Sequence, residues 1–189
     1  GAISSKFLPK ENLKGSEVNC AIAELAQSRL DIEVITDNRF LTMDSDVIFI
    51  ATKPNYVAHV LEEIKDELTP EKLVVSIAAG VSTKKIENIL GHQRVIRVMP
   101  NTPALVKEGM SGVCKGTYAT EDDAEFVMKL LSGIGKCIEV SEDQIDIVTA
   151  ISGSGPAFFY QVIEDMARAG EKLGLDYEKS LMLATQTAL

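Results

Sequence analysis

Four short segments combine the residue types that bind a nucleotide or a small organic acid. Ala51–Pro54 ends in a proline, which has no N–H and fixes the chain direction, so the backbone before it can face a ligand. Ala78–Gly80 is small enough for a flat ring or a sugar to approach closely, and Met99–Pro103 holds a polar Asn-Thr pair between two prolines. Ser152–Ala157 places Ser154 or Gly155 at the cap of a helix, where free N–H groups attract anions. Each segment alone is equally compatible with a structural turn.

The first three segments each follow a short β-branched run, which predicts a buried parallel strand. Amphipathic stretches with helical spacing separate these runs. Alternation of this kind favours a doubly wound α/β sheet, which binds ligands beyond the carboxyl ends of its strands. The predicted strands are Ile32–Thr36, Val47–Ala51, Leu73–Ile77 and Val95–Met99, and the predicted helices are Cys20–Arg29, Tyr56–Leu68 and Thr83–Leu90.

The pattern changes near residue 140. Before this point come two weaker strands and one helix, and after it the signal is almost entirely helical. We therefore predict a sheet domain over residues 1–140 and the start of a helical domain over residues 141–189. The late strands are Gly112–Lys115 and Lys136–Val140, and the late helices are Glu121–Gly133, Asp143–Ile151, Ala157–Leu173 and Tyr177–Leu189.

Composition excludes several kinds of protein. The net charge is −9, with 19 basic and 28 acidic residues, and no dense basic cluster offers a nucleic-acid surface. No apolar run reaches the ~20 residues of a membrane span. The three cysteines are odd in number and the two histidines are isolated, so we expect no metal site. Free thiols favour a reducing compartment, and we predict a cytoplasmic location.

The four segments, in this order, resemble the pyrroline-5-carboxylate reductase family over nearly the whole chain, from about Glu17 to Leu189. The most specific motifs are Arg-Val-Met-Pro-Asn-Thr-Pro at 97–103 and Ser-Gly-Ser-Gly-Pro-Ala at 152–157. The resemblance implies a Rossmann-like doubly wound sheet followed by an all-helical dimerisation domain, both incomplete. It also implies hydride transfer from NADPH to Δ1-pyrroline-5-carboxylate, which yields L-proline. The use of NADH as the donor is left open.

The resemblance implies roles for individual residues. It places the pyrophosphate and nicotinamide ribose at Ala51–Pro54, the nicotinamide at Ala78–Gly80, and the adenosine half near Ser16 and Asn38. A Ser16 hydroxyl can donate to a 2′-phosphate, whereas Glu17 beside it would repel that phosphate and leaves NADH open. The expected cofactor residues are Ser16, Asn38, Ala51, Thr52, Lys53, Pro54, Ala78, Ala79 and Gly80, and the expected substrate residues are Asn101, Glu142 and Ser154. No residue is convincing as a general acid.

Departures from the family pattern keep two alternatives open. The G-x-G-x-x-G loop and the Ser-Pro-Gly-Gly-Thr-Thr loop of the family are absent, which predicts that this stretch alone is inactive. A related β-hydroxyacid or prephenate type of dehydrogenase is one alternative. Such enzymes use a Lys or His in the interdomain helix, yet Ala157–Leu173 offers only Arg168 and Lys172 near its far end. The other alternative is a regulator without catalysis.

Exposed apolar faces after Ala157 predict a homodimer or a higher homo-oligomer.

Overall fold

The computed structural model describes residues 7–188, so the outermost residues of the two predicted units, 1–6 and 189, lie outside the described part. The strands are β1 (Lys14–Ser16), β2 (Glu33–Ile35), β3 (Val47–Ile50), β4 (Leu73–Ser76), β5 (Arg94–Met99), β6 (Gly109–Lys115) and β7 (Gly135–Glu139). The helices are α1 (Cys20–Leu30), α2 (Asn38–Met43), α3 (Pro54–Ile64), α4 (Thr83–Leu90), α5 (Glu121–Leu131), α6 (Ile145–Val148), α7 (Gly155–Lys172) and α8 (Tyr177–Ala188).

The described strands form two sheets. β1 and β2 pair in parallel with each other, and the larger sheet has the order β3-β4-β5-β6-β7. The pairs β3/β4, β4/β5 and β6/β7 are parallel, whereas β5 and β6 run antiparallel. The carboxyl ends of β3, β4 and β5 therefore meet at one edge of the larger sheet.

Helices cover both faces of the larger sheet, as the doubly wound prediction requires. Alternate residues of the strands enter two separate cores, because successive side chains of a strand point to opposite faces. Val74 and Val95 pack on one side with α3 and α4, through Leu61 and Ile86. On the other face, β4, β5 and β6 pack against α5, with Val75, Ile96, Val113 and Val127 all fully buried.

Three elements differ from the sequence prediction. β1 was not predicted, because Lys14–Ser16 is only three residues long and has no β-branched side chain. α2 was also missed, although the Asp37 side chain caps it by accepting from Phe40 N at 2.9 Å, so Asn38 begins a helix. The predicted strand Gly112–Lys115 begins earlier, at Gly109, and its antiparallel direction was not foreseen.

The helical part also departs from the prediction of one regular helix over Asp143–Ile151. A 3₁₀ turn leads into the short α6, and residues 149–153 then form a π-helical turn. The wider turn is closed by Ser154 N donating to Thr149 O at 2.8 Å, a bond that spans five residues. The π-helical turn therefore contains Ser152 and Gly153 and leads directly into α7, which begins at Gly155.

α7 and α8 form a helical hairpin that depends on a close approach at Gly170. A Cβ at this position would lie 2.5 Å from Ser180 Oγ and 2.9 Å from Ser180 Cβ. We expect Gly170→Ala to lower the free energy of unfolding by about 1–3 kcal/mol, because overpacking forces the two helices apart. Urea denaturation would measure the change.

Ser180→Ala supplies the control for the Gly170 variant. Among the described residues, Ser180 Oγ is buried without a hydrogen-bond partner. Removing this oxygen should therefore cost almost nothing and should restore part of the loss in the double variant. Equal stability of Gly170→Ala and the wild type would contradict the close packing of the two helices.

Candidate functional site

Three loops leave the same edge of the larger sheet. The register aligns Ile50 with Ser76 and Ser76 with Arg97, so β3, β4 and β5 end side by side. The loop after β4 begins with a cross-strand bond, Ile77 N to Ile50 O at 3.1 Å. The structure therefore brings together the predicted segments after β3, β4 and β5 at the position where such sheets bind ligands.

The segment after β3 presents an exposed backbone. Ala51, Thr52 and Lys53 are all exposed, and Pro54 is the first residue of α3. No side chain caps this helix within the chain, because Lys53 occupies the cap position. In the first turn, Pro54 has no N–H and Tyr56 N donates to Lys53 O at 2.9 Å, so the remaining N–H groups and the helix dipole are what this end offers to an anion.

The segment after β4 combines a buried start with an open tip. Ala78 is buried and its N–H donates to Ser76 Oγ at 3.3 Å, whereas Ala79 and Gly80 are exposed. Gly80 has a φ of +72°, a left-handed conformation that favours glycine, and a Cβ there would meet nothing within 4 Å. A cavity of about 370 Å³ lies between α3 and the segment that runs from this turn into α4, and its lining includes Pro54, Gly80 and Lys85.

Asn101 joins the sheet edge to the helical part. Its Nδ2 donates to Ser152 O at 3.1 Å, and its Oδ1 accepts from Met110 N at 2.8 Å. Both ends of the amide are therefore occupied by the protein itself. Ser154, two residues beyond Ser152, is exposed, and its side chain makes no capping bond to α7. The structure thus places the fourth predicted segment beside the third.

Glu142 lies where the helical part meets the sheet. Its Oε2 accepts from Thr83 N at 3.1 Å and from Thr83 Oγ1 at 2.7 Å, and its Oε1 pairs with the Arg97 guanidinium. Burial works to raise the pKa of the Glu142 carboxyl group, but the Thr83 hydrogen bonds and the Arg97 charge outweigh it, so the pKa lies below its ordinary value. Both carboxylate oxygens therefore have partners within the protein, and the substrate contact of Glu142 stays a prediction.

Arg97 and Thr83 were not among the predicted site residues. A signal for Arg97 was present, because an arginine inside the apolar strand Arg94–Met99 is rarely buried without a partner. Arg97 is indeed buried, at 4% exposure. Nothing in the sequence identified Glu142 as that partner, since the two residues are 45 positions apart.

Ser16 and Asn38 lie at the carboxyl side of the smaller sheet. Ser16 is the last residue of β1 and is paired with Ile35 of β2. Asn38 lies three positions after Ile35. Asn38 Nδ2 donates to Glu63 Oε2 at 3.0 Å, which links α2 to α3. The Ser16 hydroxyl is buried and has no hydrogen-bond partner among the described residues.

Cys114 has a thiol that is buried beside Glu142. Burial, helped by the negative charge of Glu142, raises the pKa of the Cys114 thiol to about 12. Burial also raises the pKa of the half-buried Cys137, whereas Cys20 is exposed. Cys114 therefore lacks the electropositive, accessible setting of a nucleophilic cysteine.

This difference predicts an order of thiol reactivity in the folded protein: Cys20 first, Cys137 next and Cys114 last. With a pKa of about 12, roughly one Cys114 thiol in ten thousand is ionised near pH 8. Timed alkylation followed by peptide mass spectrometry would measure the order, and the same reaction in urea is the control. Labelling of Cys114 as fast as Cys20 in the folded protein would contradict the buried site.

Residues 7–188 contain neither a candidate metal cluster nor a candidate membrane-spanning helix. No group of three or more His, Cys, Asp or Glu side chains there could hold a metal ion. Within the same residues, every helix is too short or too polar to cross a membrane.

Comparison with known proteins adds family relationships to this geometry. Residues 142–189 match the family model described as pyrroline-5-carboxylate reductase dimerisation, and residues 2–80 match the model described as NADP oxidoreductase, coenzyme F420-dependent. The pyrroline-5-carboxylate reductase of Methanosarcina acetivorans is 41% identical over 190 residues, which cover 100% of this chain and 70% of the relative.

Solved structures give the same picture. A pyrroline-5-carboxylate reductase from Coxiella burnetii superposes with a TM-score of 0.91 at 33% identity, covering 98% of this chain and 70% of the other. The Plasmodium falciparum pyrroline carboxylate reductase, solved with NADP bound, gives a TM-score of 0.88 at 33% identity and covers 98% and 68%. A prephenate dehydrogenase from Aquifex aeolicus shares the fold alone, with a TM-score of 0.66 at 15% identity.

Proposed function

Because the chain belongs to the pyrroline-5-carboxylate reductase family, we propose that it reduces Δ1-pyrroline-5-carboxylate to L-proline, the last step of proline biosynthesis, with NADPH as the hydride donor. The observation that carries the proposal is the convergence of the loops after β3, β4 and β5 on one edge, in a chain 41% identical to such a reductase. Loops at that edge can hold a dinucleotide and a small cyclic imine together.

The described residues fit a dinucleotide along this edge. The exposed backbone of Ala51–Lys53 and the first turn of α3 would bind the pyrophosphate and the nicotinamide ribose. The small, open turn Ala78–Gly80 would lie against the nicotinamide ring, because Ala79 and Gly80 are exposed and carry no large side chain. When bound, NADPH supplies the hydride.

Ser16 supports NADPH over NADH. Its hydroxyl is buried without a partner among the described residues, so a rotation of the Ser16 side chain would let it donate to a 2′-phosphate. The Glu17 carboxylate, which would repel that phosphate, instead accepts from Asn19 N at 2.9 Å at the start of α1. Asn38 would contact the adenosine half, at the carboxyl side of the same small sheet.

The substrate would lie between the sheet edge and the Ser152–Gly155 segment. Ser154 is exposed there and offers a hydroxyl. Asn101 holds this segment through Ser152 O, so its contribution to substrate binding would be to fix the wall of the site. No side chain is assigned as a general acid, and the imine can enter already protonated.

The experiment is an assay of the full-length protein. NADPH oxidation with the pyrroline substrate should be observed, with L-proline identified by mass spectrometry and NADH tested in parallel. We expect turnover with NADPH and weaker turnover with NADH. Absence of turnover with both cofactors would contradict the proposed reaction.

We also propose that the protein is a homodimer, or a larger homo-oligomer, in the cytoplasm, with a sheet domain over residues 1–140 and a helical domain from residue 141. The family model that matches residues 142–189 is one of dimerisation. α7 and α8 expose large apolar side chains that a second copy would cover, namely Phe158, Phe159, Met166, Met182 and Leu183. Analytical ultracentrifugation would test the assembly, and a monomer at micromolar concentration would contradict it.

A further inference from the structure

A single carboxylate joins three separate parts of the chain. Arg97 of β5 has 5% of its side chain exposed and pairs with Glu142, which lies just beyond β7. The same carboxylate accepts two hydrogen bonds from Thr83, at 3.1 and 2.7 Å. In the part of the chain that the structure describes, Glu142 is the only salt-bridge partner of Arg97.

The Thr83 bonds reach the turn that the proposed function assigns to the nicotinamide. Thr83 is the first residue of α4 and lies three positions after Gly80. The near end of the turn is held by Ala78 N bonding to Ser76 Oγ at 3.3 Å. Its far end is held by Glu142, with Ser82 adding its own cap to Lys85 N at 3.3 Å. The tip between these two anchors is exposed, and within residues 7–188 its one further bond is the long one from Lys85 Nζ to Gly80 O at 3.4 Å.

The opposite charges of Glu142 and Arg97 allow them to hold the start of α4 against the sheet. A carboxylate at the first turn of a helix is stabilised by the helix dipole and by the free N–H groups there. Arg97 is fixed within the central strand of the larger sheet, so it provides a rigid point from which Glu142 can hold the start of α4. Oε2 already accepts both Thr83 bonds, so direct substrate contact by Glu142 would have to use Oε1, the oxygen that pairs with Arg97.

We propose that Arg97 and Glu142 are positioning residues, which hold the Ala78–Ser82 turn in the conformation that binds the nicotinamide end of the dinucleotide. The proposal rests on the proposed function, because it takes the turn to be part of the cofactor site. It replaces the predicted role of Glu142 in binding the substrate directly.

The test separates cofactor affinity from substrate affinity in Glu142→Gln. Binding of NADPH without substrate is followed by the fluorescence of the cofactor, and the KM for the pyrroline is measured at saturating NADPH. We expect the Kd for NADPH to rise about fivefold or more and the KM for the pyrroline to change by less than about twofold. Thr83→Val, which removes only the hydroxyl bond, should raise the same Kd by a smaller factor and covers the case in which Glu142→Gln does not fold.

Asp123→Asn is the matched control. Asp123 pairs with Arg94 at 2.8 Å, on the same strand as Arg97 but at its amino end, far from the loops at the carboxyl edge. The Asp123→Asn variant should have a lower thermal stability than the wild type and an unchanged Kd for NADPH. A rise in substrate KM with an unchanged cofactor Kd in Glu142→Gln would overturn the proposal in favour of direct substrate contact.

Two other results are also decisive. If Glu142→Gln and Asp123→Asn both lose stability and both keep the wild-type Kd, the pair is structural only and the proposal fails. If the wild-type protein itself does not bind NADPH, the proposed function fails, and the inference falls with it. The wild-type titration therefore distinguishes the two failures.

Discussion

Glu142→Ala is expected to lower the free energy of unfolding by about 2–3 kcal/mol at neutral pH, because it leaves the buried Arg97 guanidinium without a counterion. Breaking a fully buried ion pair costs about 3–5 kcal/mol, but 33% of the Glu142 side chain is exposed, and solvent weakens the pair accordingly. Urea denaturation followed by circular dichroism would measure the loss. The double variant Arg97→Met with Glu142→Ala should recover about half of it or more, since no buried charge remains unpaired.

The pH dependence of this stability difference identifies its cause. The pKa of Glu142 lies below its ordinary value in the folded protein, so folding favours the ionised carboxylate. The contribution is complete above the unfolded-state pKa of about 4.3 and is lost as the pH falls through the lower folded-state pKa. The neighbouring Cys114 thiol, whose pKa is raised by burial, stays protonated across this range. The difference between the wild type and Glu142→Ala should therefore narrow below about pH 4, and a constant difference would point to packing instead.

Strands β3, β4 and β5 were predictable because each is short, largely apolar and bounded by turn residues. Leu73–Ser76 is buried at every position, which is the pattern of a central parallel strand covered on both faces. Direction was not predictable for β6, because an antiparallel strand buried on both faces has the same composition as a parallel one. Five of its seven residues are buried, and only its pairing with β5 reveals its orientation.

The site was predictable in part for a related physical reason. Parallel strands deliver their following loops to one edge, so finding the strands also locates the loops after β3, β4 and β5. The hydrogen bonds that fix these loops were not predictable, since they join residues far apart in sequence. Asn101 and Ser152 are 51 positions apart, and Thr83 and Glu142 are 59 apart. A local pattern identifies a polar loop residue but not which distant group it contacts.

Gly135→Ala should have the largest effect on the fold, a loss of more than about 4 kcal/mol that leaves most of the protein unfolded. Gly135 pairs with Gly109 at the start of β7, and a Cβ there would lie 2.0 Å from Gly109 O and 2.5 Å from Gly109 N. Backbone atoms of a paired strand cannot rotate away as a flexible side chain can. The φ of Gly135 is +149°, which adds backbone strain for any residue with a side chain. Soluble yield, circular dichroism and the urea midpoint would measure the loss.

A graded series of glycine variants tests whether this steric cause is correct. Gly109→Ala should be intermediate, because its Cβ would lie 2.8 Å from Ala104 Cβ and 2.9 Å from Ile134 O. Gly155→Ala should cost the least of the three, since nothing beyond its chain neighbours lies within 4 Å of its Cβ, and its remaining cost comes from Pro156, which disfavours the helical conformation for a preceding residue with a side chain. Similar losses in all three variants would mean that flexibility, rather than contact between β6 and β7, determines the cost. A stable Gly135→Ala protein would require a different register between β6 and β7. In that case, the pairing of β7 in the sheet would no longer fix the position of Glu142, which follows β7 in the chain.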